Sequence, residues 1–281
     1  MREGTRFAHW GHSDFRESSV SAFDHQRGRP IEVSGARIYT ETLGAGDAPV
    51  LVLLHGGFGN IEDFNRLLPA LEGWRVVGID SRGHGKSTLG QAGWSYQRAQ
   101  EDVEQVLAAL GVTRCTVLGF SDGGIVALRM GAAGRVEIER MIVVGSSWHH
   151  KNLASTKRIL RSVTAQSWQH KFPDTYEAYQ RLNPEPDFER FAQALVAGWL
   201  DEGPSGHPDE SVSKIQAPVL VVRGDEDHLT GREDAVELCR SLRQAHFLSI
   251  PFAGHVAYAE GEDIFLPALR RFLAQPVHRS S

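Results

Sequence analysis

The feature that most constrains the fold is the alternation of apolar strands and amphipathic helices between residues 49 and 145. Residues 49–54 (PVLVLL) form a continuous apolar run, as expected for a strand buried on both faces. The same reasoning predicts further strands at 75–79, 113–120 and 138–145, with helices at 61–71, 96–110 and 123–133. This alternation predicts an α/β fold with a parallel sheet covered by helices on both faces.

The alternation is flanked and interrupted by segments of different character. Residues 30–33 and 37–43 predict an antiparallel hairpin, and the polar residues 1–29 are assigned to an N-terminal extension. Residues 147–213 have no comparable strand and many prolines and aromatic residues, which favours a helical cap. The pattern resumes at 218–223, 234–242, 246–250 and 263–273. The core domain is therefore expected to comprise residues 30–146 and 214–281.

Composition excludes several classes of protein. The formal net charge is -5 and the sequence has no long basic run, so we expect no nucleic-acid partner. Cys115 and Cys239 are the two cysteines, too few for a disulfide framework or a zinc cluster. No stretch reaches the roughly 20 apolar residues of a membrane span, and residues 1–29 lack the apolar run of a secretion signal. We expect a cytoplasmic protein with a small-molecule substrate and leave a homodimer open.

The motif Gly119-Phe120-Ser121-Asp122-Gly123 stands where a predicted strand ends and a predicted helix begins. A sharp strand-to-helix turn holds a serine in a strained backbone and presents its hydroxyl at the carboxyl edge of the sheet. This position predicts that Ser121 is a nucleophile. The alternative is a glycine-rich turn with a serine that caps the helix.

A second glycine-rich segment, His55-Gly56-Gly57-Phe58-Gly59, follows the first buried strand. Attack by a serine on a carbonyl group creates an oxyanion, which needs two preset hydrogen-bond donors. We assign one donor to the backbone N–H of Asp122 and the other to Gly57, with Phe58 as the alternative. His55 is interpreted as a structural hydrogen-bonding residue.

The serine needs a base, and the base needs a carboxylate that orients it. His255 follows the last predicted strand, in a loop that can return over Ser121, whereas His84 lies in an earlier glycine-rich loop and is assigned a structural role. Asp227 is the preferred carboxylate. Asp225, the alternative, lies close enough to the strand end to cap the turn. We expect no cofactor. We also expect no metal, because the adjacent His149 and His150 lack an H-E-x-x-H spacing.

Substrate binding is assigned to an aromatic and acidic set: Phe58, Phe120, Asp122, Trp148 and Trp168. Aromatic residues of the predicted cap line an apolar pocket, pack the cap onto its base, or do both. The Asp122 carboxylate either meets a positive group on the substrate or favours the start of the helix.

Five segments together resemble the α/β-hydrolase superfamily: HGGFG at 55–59, DSRGHGKS at 80–87, GFSDGG at 119–124, GDED at 224–227 and GH at 254–255. The resemblance spans residues 30–275 apart from the cap. It implies an eight-stranded, mostly parallel sheet, a helical cap after the sixth strand, and a triad of Ser121, Asp227 and His255. GFSDGG with a short cap is similar to the serine esterase, biphenyl-hydrolase-like and peptidase-like branches.

The expected function is hydrolysis of a carboxylic ester, thioester or lactone through an acyl-enzyme. Because one fold hosts many chemistries, three alternatives stay open. The first is cleavage of a carbon–carbon bond or a lyase reaction on the same scaffold. The second is a small-molecule receptor that retains the triad. The third is transfer of the acyl group to another acceptor.

Overall fold

A computed structural model describes residues 22–276 as a single eight-stranded sheet flanked by helices. The strands are β1 (Arg29–Val33), β2 (Ala36–Leu43), β3 (Val50–Leu54), β4 (Arg75–Ile79), β5 (Arg114–Phe120), β6 (Glu137–Val144), β7 (Val219–Gly224) and β8 (Ala245–Ile250). Their order in the sheet is β1-β2-β4-β3-β5-β6-β7-β8. Strand β2 pairs antiparallel with β1 and β4, and all other neighbours are parallel. The predicted mostly parallel sheet is confirmed.

The helices are α1 (Tyr96–Ala109), α2 (Asp122–Ala133), α3 (Leu153–Arg161), α4 (Ala165–Lys171), α5 (Pro173–Leu182), α6 (Phe188–Trp199), α7 (Arg232–Ser241), α8 (Ala257–Glu260) and α9 (Glu262–Leu273). Three 3-10 helices cover Ile61–Ala70, His150–Asn152 and Asp209–Lys214. Helix α8 was not predicted, and the predicted helix at 61–71 is of the 3-10 type. No helix within residues 22–276 has both the length and the apolar character that crossing a membrane requires.

Strand β3 shows why the central strands are apolar throughout. Leu51 and Leu53 pack into the core layer that also contains the 3-10 helix Ile61–Ala70, whereas Val52 and Leu54 pack into the layer formed with helices α1 and α2. All four side chains are almost fully buried. Successive side chains of a strand point to opposite faces, so a strand covered on both sides needs an apolar residue at every position.

The chain between β6 and β7, which the structure describes throughout, contains helices and loops but no strand. We call residues 147–213 the helical insert. Its Asn183 amide group donates hydrogen bonds to the backbone carbonyl oxygens of Gly83, Gly85 and Ser87, at 2.9–3.2 Å. These bonds hold the insert against the loop that follows β4.

The first described residues pack onto the sheet. Residues 1–21 of the predicted extension lie outside the described residues. Phe23 is buried in the core, and the His25 ring lies between the carboxylates of Glu62 (2.6 Å) and Asp80 (2.8 Å). Burial alone would lower the pKa of His25, but hydrogen bonds and charge attraction from Asp80 and Glu62 raise it. Two residues of the predicted extension, Phe23 and His25, are therefore buried against the sheet.

Candidate active site

Ser121 forms the turn between β5 and α2. Its backbone has φ 50° and ψ −116°, a region that residues other than glycine rarely adopt. The turn is held in place because the Ser121 N–H donates to the Val144 carbonyl at 2.8 Å, and the Ser146 hydroxyl donates to the Ser121 carbonyl at 3.0 Å. The strained turn that the sequence predicts is present.

The glycines around Ser121 are required by close backbone contacts. A Cβ on Gly119 would lie 2.3 Å from the carbonyl oxygen of Gly123, and a Cβ on Gly123 would lie 2.0 Å from that of Leu54. These distances leave no room for any side chain. The G-x-S-x-G pattern is therefore a steric consequence of how tightly β3, β5 and α2 meet.

The loops after β5, β7 and β8 bring Ser121, Asp227 and His255 together. The Ser121 Oγ atom lies 3.0 Å from His255 Nε2, and His255 Nδ1 lies 3.0 and 3.1 Å from the two carboxylate oxygens of Asp227. A carboxylate only accepts hydrogen bonds, so the arrangement assigns the proton of the neutral ring to Nδ1. His255 Nε2 is then free to accept the Ser121 hydroxyl proton.

The surroundings of Asp227 favour its ionised form. Burial alone would raise its pKa, but His255 and the backbone N–H groups of Leu229 and Thr230 outweigh that effect and lower it. The two N–H groups donate to the carboxylate at 2.8 and 3.1 Å. Asp225 instead lies exposed and accepts hydrogen bonds from Arg232 and Ser249. The structure thus brings Asp227, and not Asp225, to the histidine.

The two histidines in the glycine-rich loops, His55 and His84, form hydrogen bonds with the backbone. His84 Nδ1 donates to the carbonyl oxygen of Arg82 at 3.0 Å, and burial holds the pKa of His84 well below its ordinary value. His55 Nδ1 donates to the Gly56 carbonyl at 2.8 Å, and its Nε2 accepts the Ser81 N–H at 3.0 Å. Neither ring hydrogen-bonds to Ser121.

The loop after β3 passes directly beside Ser121. A Cβ added to Gly56 would lie 3.1 Å from the Cβ of Ser121. The next residue, Gly57, is equally confined, because a Cβ there would lie 2.7 Å from the Trp199 ring and 2.8 Å from the Asp122 carboxylate. Phe58 follows with a φ of 60°. The residues assigned to the oxyanion site thus lie in one cluster at Ser121.

Ser121 and His255 open into a cavity of about 850 Å³ between the sheet and the helical insert. Its apolar lining includes Phe58, Phe120, Ile125, Leu153, Trp168 and Trp199. Trp148 is not among the lining residues, which corrects its assignment to substrate binding. Its indole N–H donates to the carbonyl oxygen of Asp234 at 3.0 Å, because this part of the insert packs against helix α7.

Asp122 lies in the cavity wall, but its carboxylate is already engaged by the protein. The Tyr96 hydroxyl donates to Oδ1 at 2.8 Å, and the Trp199 indole N–H donates to Oδ2 at 2.7 Å. Burial raises the pKa of Asp122, although these two hydrogen bonds oppose the effect. No sequence pattern predicts this contact, because Tyr96 and Trp199 are 26 and 77 residues away from Asp122.

Within residues 22–276, one group of side chains has donor atoms close enough to hold a metal ion. Ligand atoms of His149, His150 and Asp209 lie within 4.8 Å of one another. His150 Nδ1 is 3.0 Å from an Asp209 oxygen, and His149 Nε2 is 3.0 Å from Glu210. The three residues are thus paired among themselves and with Glu210, and none of the three lines the cavity.

Comparison with known proteins identifies the family. A family model described as alpha/beta hydrolase fold matches residues 49–198, and one described as TAP-like protein matches residues 188–279. The chain therefore belongs to the alpha/beta hydrolase fold family.

Its relatives are hydrolases of several kinds. The chain is 25% identical to the sn-1-specific diacylglycerol lipase ABHD11 of Mus musculus, over 92% of this chain and 91% of the relative. It is 26% identical to the serine hydrolase BPHL of Homo sapiens, over 86% of this chain and 85% of the relative. The crystal structure of a hydrolase from Pseudomonas aeruginosa PA01 superposes with a TM-score of 0.72 at 26% identity, covering 90% of this chain and all of that one.

Proposed function

We propose that the protein hydrolyses carboxylic esters, including thioesters and lactones, through an acyl-enzyme on Ser121. One observation carries the proposal: a continuous hydrogen-bond path from Ser121 Oγ through the His255 ring to the Asp227 carboxylate, with both links close to 3.0 Å. This is the arrangement that a serine nucleophile needs, since its hydroxyl reacts only when a positioned base removes the proton.

The proposed reaction has two halves. His255 Nε2 takes the hydroxyl proton while Ser121 Oγ attacks the ester carbonyl, and Asp227 stabilises the resulting imidazolium. The tetrahedral intermediate collapses when His255 gives that proton to the departing alcohol, which leaves an acyl group on Ser121. Water, deprotonated by His255, then attacks the acyl carbonyl. The acid leaves and the proton returns to Ser121.

The negative oxygen of each tetrahedral intermediate is assigned to two backbone N–H groups. Asp122 is the first residue of helix α2, where N–H groups have no partner within the helix and the helix dipole favours negative charge. Gly57, with Phe58 as the alternative, would provide the second donor from the loop beside Ser121. Loss of one such donor raises the barrier by about 3–4 kcal/mol.

The helical insert, residues 147–213, is proposed to act as a cap over a core of residues 30–146 and 214–281. Leu153, Leu160 and Trp168 of the insert line the cavity that contains Ser121. The cavity volume lies within the range of about 300–1,000 Å³ that accommodates ligands of moderate size. A mainly apolar lining supports an ester with a medium-sized, uncharged acyl or alcohol part.

A fluorophosphonate probe and an ester panel test the proposal. We expect the probe to label Ser121 and the wild type to release p-nitrophenol from p-nitrophenyl esters, with an initial burst. Ser121→Ala should lose the label and nearly all turnover. Ser213→Ala, a matched control at an exposed serine, should keep both. Turnover that survives Ser121→Ala would exclude the acyl-enzyme, and labelling without turnover on any ester would favour a receptor.

A further inference from the structure

Two residues that line the cavity carry enclosed polar atoms with no hydrogen-bond partner among the described residues. The Nδ1 atom of His207 and the Oγ atom of Ser147 are enclosed and unpartnered among the described residues. Buried polar groups are almost always hydrogen-bonded, because leaving one unpaired costs about 1–3 kcal/mol. The other enclosed atoms of this kind belong to His84 and Thr116, which do not line this cavity.

The His207 ring is held in a defined position. It packs against the Tyr96 ring at a centroid distance of 5.2 Å, and the Tyr96 hydroxyl is committed to Asp122. The guanidinium of Arg129 donates to the carbonyl oxygens of Gly206 (2.7 Å) and His207 (3.4 Å). His207 Nε2 makes no hydrogen bond to the described residues and, unlike Nδ1, is not enclosed. Both nitrogens of the ring therefore lack a hydrogen-bond partner among the described residues.

The charge state of His207 indicates which chemical groups of a ligand it can bind. The residue is only 4% exposed, and burial lowers its pKa to about 4. A neutral imidazole has one N–H donor, one acceptor nitrogen and no positive charge. It therefore suits an uncharged oxygen group, such as a hydroxyl or a carbonyl, better than a carboxylate or a phosphate.

Ser147 lies on a neighbouring part of the wall. The adjoining residue, Trp148, accepts the N–H of Asp209 at 3.0 Å, so the segments that contain Ser147 and His207 are tied together. Ser147 also follows Gly145 by two residues, and a Cβ on Gly145 would lie 3.2 Å from the His255 ring. The start and the end of the helical insert thus each contribute one polar group, Ser147 and His207, to the wall of the cavity.

We propose that His207 and Ser147 form a polar subsite that binds a hydroxyl or carbonyl oxygen of the substrate, separate from the ester group that Ser121 attacks. This inference rests on the proposed ester hydrolysis and names its substrate class: esters whose otherwise apolar acyl chain carries one uncharged oxygen substituent. A site that hydrogen-bonds such a group discriminates strongly against the analogue that lacks it, because its own buried polar atoms stay unpaired.

Matched p-nitrophenyl esters test the subsite. The set comprises the hexanoate ester, the positional isomers of its hydroxy and oxo derivatives, and the half-ester of adipic acid, whose chain ends in a carboxylate. We expect kcat/KM for at least one hydroxy or oxo isomer to exceed that for hexanoate by about tenfold or more. The carboxylated ester should show no such gain.

Two variants test whether the preference for an oxygen substituent comes from the subsite. His207→Phe keeps an aromatic ring, and Ser147→Ala removes only the hydroxyl oxygen. The readout is the ratio of kcat/KM between the preferred isomer and hexanoate, which should fall towards one in either variant and stay unchanged in the exposed control His170→Gln. Absence of a preference in the wild type, or a ratio kept by both variants, would overturn the subsite while Ser121-dependent hydrolysis of hexanoate still stood. Failure of the proposed function would appear instead as no turnover of any ester.

Discussion

The Asp122 carboxylate accepts a hydrogen bond from the Trp199 indole N–H at 2.7 Å, which joins the residue after Ser121 to the last residue of helix α6. Its other oxygen accepts the Tyr96 hydroxyl at 2.8 Å. Both oxygens of a buried carboxylate are therefore bonded to the protein itself. This linkage connects the position of the helical insert to the turn that carries Ser121.

Engagement of both oxygens leads to a prediction about substrate charge. Asp122→Asn should lower kcat/KM by the same factor for a p-nitrophenyl aminohexanoate and for the plain hexanoate, because the carboxylate serves Tyr96 and Trp199 and not an amine of the substrate. Parallel kinetics on the two esters provide the measurement. A loss several times larger on the amino ester would instead assign Asp122 to recognition of a positive group.

The same linkage contributes to stability. Trp199→Phe keeps an aromatic ring but leaves one Asp122 oxygen without its donor, which should reduce the free energy of unfolding by about 1–3 kcal/mol. Trp74→Phe is the matched control, since Trp74 is partly buried and its indole N–H has no partner among the described residues. Urea denaturation of both variants measures the difference. Equal losses would mean that packing, and not the hydrogen bond, is what matters at Trp199.

The neighbouring acids after β7 give a paired test of the proposed mechanism. Asp227→Asn should lower kcat by about 10⁴-fold, because an amide that donates to His255 favours the wrong ring tautomer. Asp225→Asn should stay within a few-fold of wild type, since Asp225 bonds to Arg232 and Ser249 on the surface. Steady-state kinetics on one ester compare the two. Similar losses in both variants would contradict the assignment of Asp227.

Much of this fold is visible in the sequence because the central strands are covered on both faces. The apolar runs of β3 and β5 and the glycines beside Ser121 each follow from a local requirement, namely burial on two sides or backbone contact. Asp225, Asp227 and His255 follow strands whose carboxyl ends share one edge of the sheet, and Asp227 is favoured because Asp225 lies close enough to the strand end to cap the turn.

Contacts between segments that are distant in the sequence cannot be predicted from local patterns. Nothing in the polar residues 22–28 indicates that Phe23 is buried or that His25 reaches Asp80, 55 positions away. Trp148 was misassigned for the same reason: an aromatic residue of the insert can face the cavity or helix α7, and only the packing of the insert decides. No sequence pattern marks His207 as a residue of the cavity wall, because one histidine among thirteen is distinguished only by its surroundings in the fold.

The buried His207 should make stability depend on pH. Its pKa is about 4 in the folded protein and about 6.5 when unfolded, so between those values the unfolded chain binds more protons. Stability should therefore fall as the pH is lowered, by about 2 kcal/mol from pH 7 to pH 5. His207→Phe should remove this contribution, whereas His246→Gln, at an exposed histidine, should keep it. Urea denaturation at both pH values provides the measurement, and equal pH dependence in wild type and His207→Phe would refute the argument.

Gly57 offers a steric test of the proposed oxyanion site. An added Cβ would lie 2.7 Å from the Trp199 ring and 2.8 Å from the Asp122 carboxylate, so in Gly57→Ala something must shift, and we expect the loop to move away from these two side chains. Displacing one donor should lower kcat by about 10²–10³-fold. Gly46→Ala is the control, because no atom lies within 4 Å of the added group there.

The reactivity of Ser121 itself separates this effect from damage to the nucleophile. Hydrogen bonding among Ser121, His255 and Asp227 does not involve Gly57, so Gly57→Ala should still react with a fluorophosphonate, although more slowly, while ester turnover falls. Stopped-flow measurement of the acylation burst would locate the loss in the steps that form the tetrahedral intermediate. If the variant turned over esters at the wild-type rate, the second donor would have to come from a residue outside this loop.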